Sequence, residues 1–305
     1  MDVVSSNNQY DIIIELVKDH NVRLIKSNEL KPSNNTTVSD SICAKATLFH
    51  KILDEKVGVI VKEFNYDKID WIKLANELVL VSCLVHDHIP KFQGIIIDDD
   101  KHGKKKIALV TEHIEGKSLN DYKANNFEDL NEQDKLKIIK DLHIVFTYVH
   151  DMKFMHRDLN PNNLILDMKK NVYLTNFGFG KVLDEGDEKA TRTAGTLNYS
   201  PPESVVNIDE DDQEIINLVT AKYDVWAFGC IVSLLYTNEE PWNTKSNSLI
   251  SKKLKDKAKF IFKEANITNE AIKPHIIKII RMCTEVDSTK RCSMKDLKPI
   301  LDEMK

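Results

Sequence analysis

The chain has 305 residues, enough for one large domain or for two lobes that each bury a core, which excludes global disorder. Acidic side chains outnumber basic ones, 48 to 43, and the formal charge of -5 argues against a nucleic-acid binder driven by bulk electrostatics. No signal-peptide pattern opens the chain, and its longest apolar run, Val225 to Tyr236, falls short of the roughly 20 residues of a membrane span, so a soluble, cytoplasmic protein with neither nucleic-acid nor membrane partners is expected.

Residues 1–35 read as an N-terminal extension in which "YDIIIELVKDH" sets Ile13, Leu16, Val17 and His20 at helical spacing. This predicts a short amphipathic helix, docked either on the next domain or on a second protein. The polar run "KPSNNTTVSD" follows with proline and asparagine in loop-forming density, and "EKVGVIVKEF" then reads as a strand. A helix is predicted from Asp67 to Val85, where Ile69, Ile72, Leu74, Leu78, Val81 and Val85 keep a roughly helical period. Strands at "FQGIIID" and "KIALVTEH" flank a charged hairpin tip, "DDDKHGKKK". Residues 36–115 thus read as a small sheet with one internal helix. From 116 to 305 helical patterns dominate, over 131–152, 222–237, 245–264 and 270–283, with a loop-rich insertion at Phe154–Gly180. Strands first and helices after them predict a two-lobed α+β protein. The five cysteines, Cys43, Cys83, Cys230, Cys283 and Cys292, form no CxxC pair and sit mostly in apolar runs, which predicts buried thiols in a reducing compartment.

Several ordered motifs resemble the eukaryotic-type protein kinase domain, over about Ser39 to Met304. "HRDLNPNN" is similar to its catalytic loop and puts Asp158 and Asn163 at the acid and amide positions that face a transferring phosphate. "VIVK" resembles the strand carrying the phosphate-binding lysine, here Lys62, with Glu77 as its partner on the next helix. "ALVTEHIEGKSL" resembles the hinge, with Thr111 as a small gatekeeper. "AGTLNYSPPE", "YDVWAFGC" and "DSTKRCSM" resemble anchor segments, with Glu203, Asp224 and Arg291 at structural positions. His156 and Phe177 match framework residues as well. The resemblance implies a small antiparallel-sheet N-lobe with one helix and a mainly helical C-lobe. It implies ATP and magnesium as cofactors if the chain is active, with catalytic roles for Asp158, Asn163, Lys62 and Glu77. Nucleotide contacts are implied at Lys62, Ile60, Thr111, Glu112, Ile114, Ile165 and Asn176, and weak metal contacts at Asn163 and Asn176.

Four departures from the family pattern converge on the nucleotide. No glycine precedes Gly58, so the phosphate loop expected around "TTVSDSICAKA" carries side chains, with Thr36, Val38 and Ser41 roughly where glycines would stand. Ile60 replaces the family's small alanine, and overpacking of that kind costs about 1–3 kcal/mol. Asn176, in "NFG", replaces a magnesium-binding carboxylate by a neutral amide, a poor exchange for a hard cation. Asn160 replaces a lysine that contacts the transferred phosphate.

The resulting expectation is a pseudokinase that acts as a scaffold or allosteric partner in phosphorylation signalling. The alternative is an active, atypical Ser/Thr kinase that transfers the ATP γ-phosphate to a protein hydroxyl. Either way the partner is a protein, and two surfaces suggest themselves, the acidic loop 207–214 and the basic helix 245–259. Thr191, Thr193, Thr196 and Tyr199 are hydroxyls on which a phosphate would find the guanidinium of Arg157.

Overall fold

Period-two apolar residues in "EKVGVIVKEF" and "KIALVTEH" build the core of the first of two units, Met1–Glu115 and Gly116–Lys305. The computed structural model describes residues 6–38, 41–50, 55–99, 105–183, 195–205, 207–208, 214–215, 219–244 and 246–304. In the first unit α1 (Ser6–Asp19) precedes β1 (Leu30–Val38), β2 (Ser41–His50) and β3 (Glu55–Phe64). After α2 (Trp71–Cys83) come β4 (Phe92–Asp99) and β5 (Lys105–Glu112), and the five strands form one antiparallel sheet in the order β1-β2-β3-β5-β4. Val59 and Val61 pack on one face with Ala46, Leu48, Ile96, Ala108 and Val110. Ile95, Ile107 and Leu109 serve the other face, under Leu74 and Leu78 of α2 and Ile13 and Val17 of α1. Both faces of β5 are covered, so Ile107 to Val110 form a continuous buried run.

The predicted amphipathic helix is α1, and it docks within its own unit. Ile13 and Val17, one helical turn apart, are buried, and Tyr10 meets Trp71 edge-on with ring centroids 6.3 Å apart. The second predicted helix starts later than Asp67 because two caps divide that stretch. Asn65 accepts from the Asp67 N–H and closes a 3₁₀ turn at Tyr66–Lys68, while Asp70 accepts from the Lys73 N–H at 3.0 Å and opens α2.

The polar run expected as a loop is instead β1, paired with β2 from Leu30↔Leu48 to Val38↔Ser41. Pairing satisfies the backbone of residues with little strand preference of their own. Pro32 is tolerated because β1 is an edge strand, where a missing N–H breaks no ladder on its outer side. The stretch before it joins the sheet too: the Ile25 N–H donates to the Ile95 carbonyl at 2.9 Å, and the Ile95 N–H to the Arg23 carbonyl at 3.0 Å. Gly94 makes this approach feasible. Its φ is +142°, and a Cβ there would lie 2.3 Å from the Arg23 carbonyl oxygen.

The second unit opens with β6 (Gly116–Ser118), α3 (Leu119–Ala124), α4 (Glu132–Asp151) and β7 (Phe154–Met155). Next come β8 (Leu164–Asp167), β9 (Val172–Leu174), β10 (Lys181–Val182), β11 (Asn207–Ile208) and β12 (Glu214–Ile215). Helices α5 (Lys222–Thr237), α6 (Asn247–Lys255), α7 (Lys273–Cys283) and α8 (Met294–Glu303) complete it. Every residue of α5 after Lys222 is buried, as its all-round apolar sequence demands. No helix among the described residues is long and apolar enough to cross a membrane.

Two surface expectations change. The basic helix 245–259 is only Asn247–Lys255, since the chain turns at Lys257 (φ 48°) and buries Phe260 edge-on against Trp226 and Trp242. Lys257 and Lys259 lie beyond the helix, and residue 245 lies outside the described residues. The acidic loop 207–214 begins and ends in a strand pair, Asn207↔Ile215 and Ile208↔Glu214, while 209–213 lie outside the described residues.

His143 joins α4 to α8, its Nε2 lying 2.9 Å from the Met294 carbonyl oxygen. Burial lowers its pKa from 6.5, against the opposing pull of the Met294 bond. The unfolded chain therefore binds this proton more readily, so the stability His143 contributes is intact above the ordinary histidine range and is lost as pH falls through it. Thermal melts from about pH 7 to about pH 5 should show a falling midpoint, and His143→Gln should flatten the slope. An unchanged slope in the variant would assign the effect to other groups such as His86 or His113, whose burial shifts them the same way.

Candidate functional site

The candidate residues fall into two groups, one per unit. In the first unit, alternation along β3 places Ile60 and Lys62 opposite in direction to the buried Val59 and Val61. The Lys62 ammonium meets both carboxylate oxygens of Glu77, at 2.7 and 2.9 Å, with the glutamate side chain only 5% exposed. Glu77 is among the buried residues of α2, along with Leu74 and Leu78, which the core fixes. Ile60 pairs with Thr111 across the β3–β5 ladder, so the two share a face. Glu112 is tied back at the end of β5, where its Oε2 accepts from the Lys91 N–H at 3.2 Å. Ile114, just beyond β5, is half-buried.

In the second unit the turn at Arg157, with φ 59°, positions Asp158. Asp224 in α5 holds that turn: its Oδ2 accepts from the His156 N–H (2.9 Å) and from His150 Nε2 (3.0 Å), and its Oδ1 from the Arg157 N–H (2.8 Å). Complete burial pushes Asp224 toward its neutral form. The His150 bond, the nearby histidines and the His156 N–H outweigh that and keep its carboxyl below the usual range. His156 accepts the Asp158 N–H at Nδ1, so its Nε2 carries the proton donated to the Thr175 carbonyl at 3.0 Å. Phe177 packs edge-on against that ring, centroids 4.9 Å apart.

Asp158 is 7% exposed, and its carboxylate takes four donors. Its Oδ1 accepts from Asn160 Nδ2 (3.0 Å), the Thr196 N–H (2.8 Å) and the Thr196 hydroxyl (2.9 Å), and its Oδ2 accepts from Asn163 Nδ2 (2.8 Å). A carboxylate can only accept, so Asn163 must turn its nitrogen toward Asp158 and its oxygen away. That oxygen accepts from Asn176 Nδ2 at 3.2 Å. Asn176 sits at φ 65°, a left-handed conformation that asparagine tolerates well. Asn176, Asn163 and Asp158 therefore form a chain of two amides and one carboxylate. Ile165 follows on β8, half-buried and paired with Tyr173.

This donor set does not fit a firmly held divalent cation. The one carboxylate is saturated by donors, and Asn176 offers Asn163 an N–H where a cation would need an oxygen. Among the described residues no group of three or more His, Cys, Asp or Glu side chains is arranged to hold a metal. Motif spacing gave no hint of what Asn160 does here. Its amide bridges Asp158 and the Thr196 hydroxyl (3.1 Å), keeping a link at this position while carrying no positive charge.

Of the candidate hydroxyls before Glu203, the two that are described, Thr196 and Tyr199, are less open to modification than their sequence suggests. Thr196 is bonded to Asp158, and Tyr199 is buried with its hydroxyl on Glu240 at 3.3 Å. Thr191 and Thr193 lie outside the described residues. Glu203 receives both arms of the Arg291 guanidinium, at 2.5 and 2.9 Å. Arg291 also donates to the carbonyls of Lys222 and Glu285 and stacks 5.0 Å from the Trp226 ring.

The sequence matches the protein kinase domain family over residues 45–299. The chain belongs to the protein kinase family. The two-lobed kinase fold accounts for the sheet-rich first unit and the helical second one. This kinase domain is 29% identical over 257 residues to a probable serine/threonine-protein kinase of Dictyostelium discoideum, covering 82% of this chain and 28% of that protein. It is 25% identical over 256 residues to a second such kinase of that organism, kinX, covering 82% of this chain and 21% of the relative. The chain thus spans less than a third of the length of either relative.

Proposed function

We propose that this kinase domain binds metal-ATP poorly and works as a protein-binding or allosteric partner in phosphorylation signalling rather than as a phosphotransferase. The observation that carries this reading is the bond from Asn176 to Asn163, which puts an N–H where the family has a metal-binding carboxylate. Magnesium prefers anionic oxygen, and here it would have to displace one amide and compete with four donors at Asp158. Ile60 beside Thr111 and a β1–β2 hairpin without glycine weaken the nucleotide's hold further. The exposed Lys252 and Lys255 on α6 are the surface proposed for a protein partner, while most of the acidic run 207–214 lies outside the described residues.

One observation favours a second reading, an active atypical serine/threonine kinase using ATP and magnesium. The Lys62–Glu77 pair is fully formed, which is what neutralising phosphate charge requires. In that reading Asp158 orients the substrate hydroxyl and Asn163 takes the metal.

Thermal-shift titration with ATP, with and without magnesium or manganese, separates the two, because a ligand that binds only the native state raises its stability. The expected metal-dependent shift is under about 1 °C. A large metal-dependent rise, with phosphate incorporation that disappears in Asp158→Asn, would establish the second reading. Asn176→Asp supplies a further arm. Without cations it should lose about 0.5–1.5 kcal/mol, since a carboxylate would face the Asn163 oxygen with no proton between them. Magnesium should restore that loss, yet robust transfer should not appear while Ile60 and the glycine-free hairpin remain. Full activity in that single variant would count against the weight placed on those two features.

A further inference from the structure

We propose that Cys283 and Cys292 form an oxidisable dithiol site, which a hydroperoxide converts to an intramolecular disulfide. Their sulfurs lie 3.9 Å apart and both thiols are free, although sequence spacing gave no sign of a pair. Cys283 ends α7 and is wholly buried against α5, where a Cβ on Gly229 would come 2.6 Å from the Cys283 Cβ. Cys292 lies in the turn before α8 and is 8% exposed.

The surroundings assign different parts to the two sulfurs. Beside Cys292 stand the Arg291 guanidinium and Lys222, whose ammonium donates to the Arg291 carbonyl at 2.6 Å. The bond to Cys283 and the charges of Lys222 and Arg291 hold the Cys292 thiol below its ordinary range against burial and Asp296, whereas burial pushes Cys283 up. Cys292, 8% exposed where Cys283 is fully buried, is the sulfur a peroxide meets first and is accordingly the attacking thiolate, with Cys283 the resolving thiol. A cavity of about 160 Å³ is lined by Lys222, Val225 and the residues that directly follow Cys292, namely Ser293, Met294 and Lys295, though by neither cysteine, so it would hold a peroxide-sized molecule against the neighbouring residues rather than against a sulfur.

The chemistry balances. The Cys292 thiolate attacks one peroxide oxygen, the O–O bond breaks, and the hydroxide released takes up the proton that left the Cys292 thiol, giving water and a sulfenic acid. The Cys283 sulfur then attacks that sulfur, the S–S bond forms, the S–O bond breaks, and the departing hydroxide takes the Cys283 proton as a second water. Two electrons leave the thiol pair and one peroxide becomes two waters. The new bond closes a ring over residues 283–292 that contains Arg291, the anchor of Glu203.

The test is peptide mapping of the reduced full chain after graded hydrogen peroxide, quenched by alkylation in denaturant. Half-exposed Cys83 serves as an internal gauge of oxidation. The expected result is a single linked pair of peptides holding Cys283 and Cys292, reversed by dithiothreitol and absent in Cys292→Ser. Cys230→Ser should leave its yield at the wild-type level. Recovery of both thiols intact when Cys83 is fully oxidised would overturn the proposal. So would unlinked Cys292 sulfinic acid, or loss of the link in Cys230→Ser. The wild-type map decides the matter even if Cys292→Ser does not fold.

Discussion

Replacing Arg291 by alanine is expected to destabilise the helical unit by about 3–5 kcal/mol, the cost of leaving one member of a buried ion pair uncompensated. The Arg291 side chain is fully buried, and its partner Glu203 is only 11% exposed. Truncation also frees the carbonyls of Lys222 and Glu285 and uncovers the Trp226 ring. Glu203→Gln should cost far less, because the amide still offers one oxygen to the guanidinium. Urea unfolding followed by tryptophan fluorescence reports directly on the site, since Trp226 and Trp242 stack at 5.9 Å in the same core. A loss below about 1 kcal/mol in Arg291→Ala would reduce the pair to the worth of a surface salt bridge.

Asp224→Ala is expected to cost a similar amount by a different route. It strips the acceptor from two buried N–H groups, those of His156 and Arg157, at about 1–3 kcal/mol each, and leaves His150 without its partner. Those N–H groups hold the left-handed turn that delivers Asp158, so the loss should spread to the Asp158–Thr196 bonds. Backbone hydrogen exchange at Thr196, whose N–H donates to Asp158, should rise in the variant. Acid titration gives a second readout. Because the folded pKa of Asp224 is depressed, its contribution is present above the ordinary carboxylate range and is lost as pH falls through the folded value. Asp224→Asn should therefore remove part of the acid-induced loss of helical signal seen in the wild type. An unchanged acid profile would mean that other carboxylates carry it.

Much of this architecture was legible because the buried faces write themselves into the sequence as periods. Helix α5 is apolar on every side and occupies 222–237 as predicted, and β3 and β5 were recognised from short runs rich in branched residues. Strand β1 was not, since its residues favour loops and only pairing with β2 makes them a strand. The early end of α6 was hidden as well. The helical pattern continues past Lys255, but burying Phe260 beside Trp226 and Trp242 is a tertiary preference that no local window contains. Helix α8 lies outside the predicted helices although its sequence carries a signal: Met294, Leu297, Ile300 and Leu301 recur on one face behind a Ser293–Asp296 capping box.

For the candidate site, motif order supplied the residue types but not the directions of their bonds. That Asn176 gives its N–H to Asn163, and that Asn160 spans Asp158 and Thr196, depends on which end of each amide faces which neighbour. A one-letter code carries no such orientation. The contact between Cys283 and Cys292 was equally hidden, because the turn from α7 to α8 brings them together across nine positions of sequence.

The short contact at Arg23–Ile25 bears on the open edge of the sheet. β4 is the outermost strand on its side of the sheet, and an uncovered edge offers unpaired N–H and C=O groups to any passing strand. The residues after α1 occupy the groups of Ile95 that would otherwise recruit one. Gly94 is what lets that guard lie so close. Cutting the chain just before Leu30 would therefore remove more than a docked helix: it would strip the guard from β4 and favour edge-to-edge association over a smaller, well-behaved monomer.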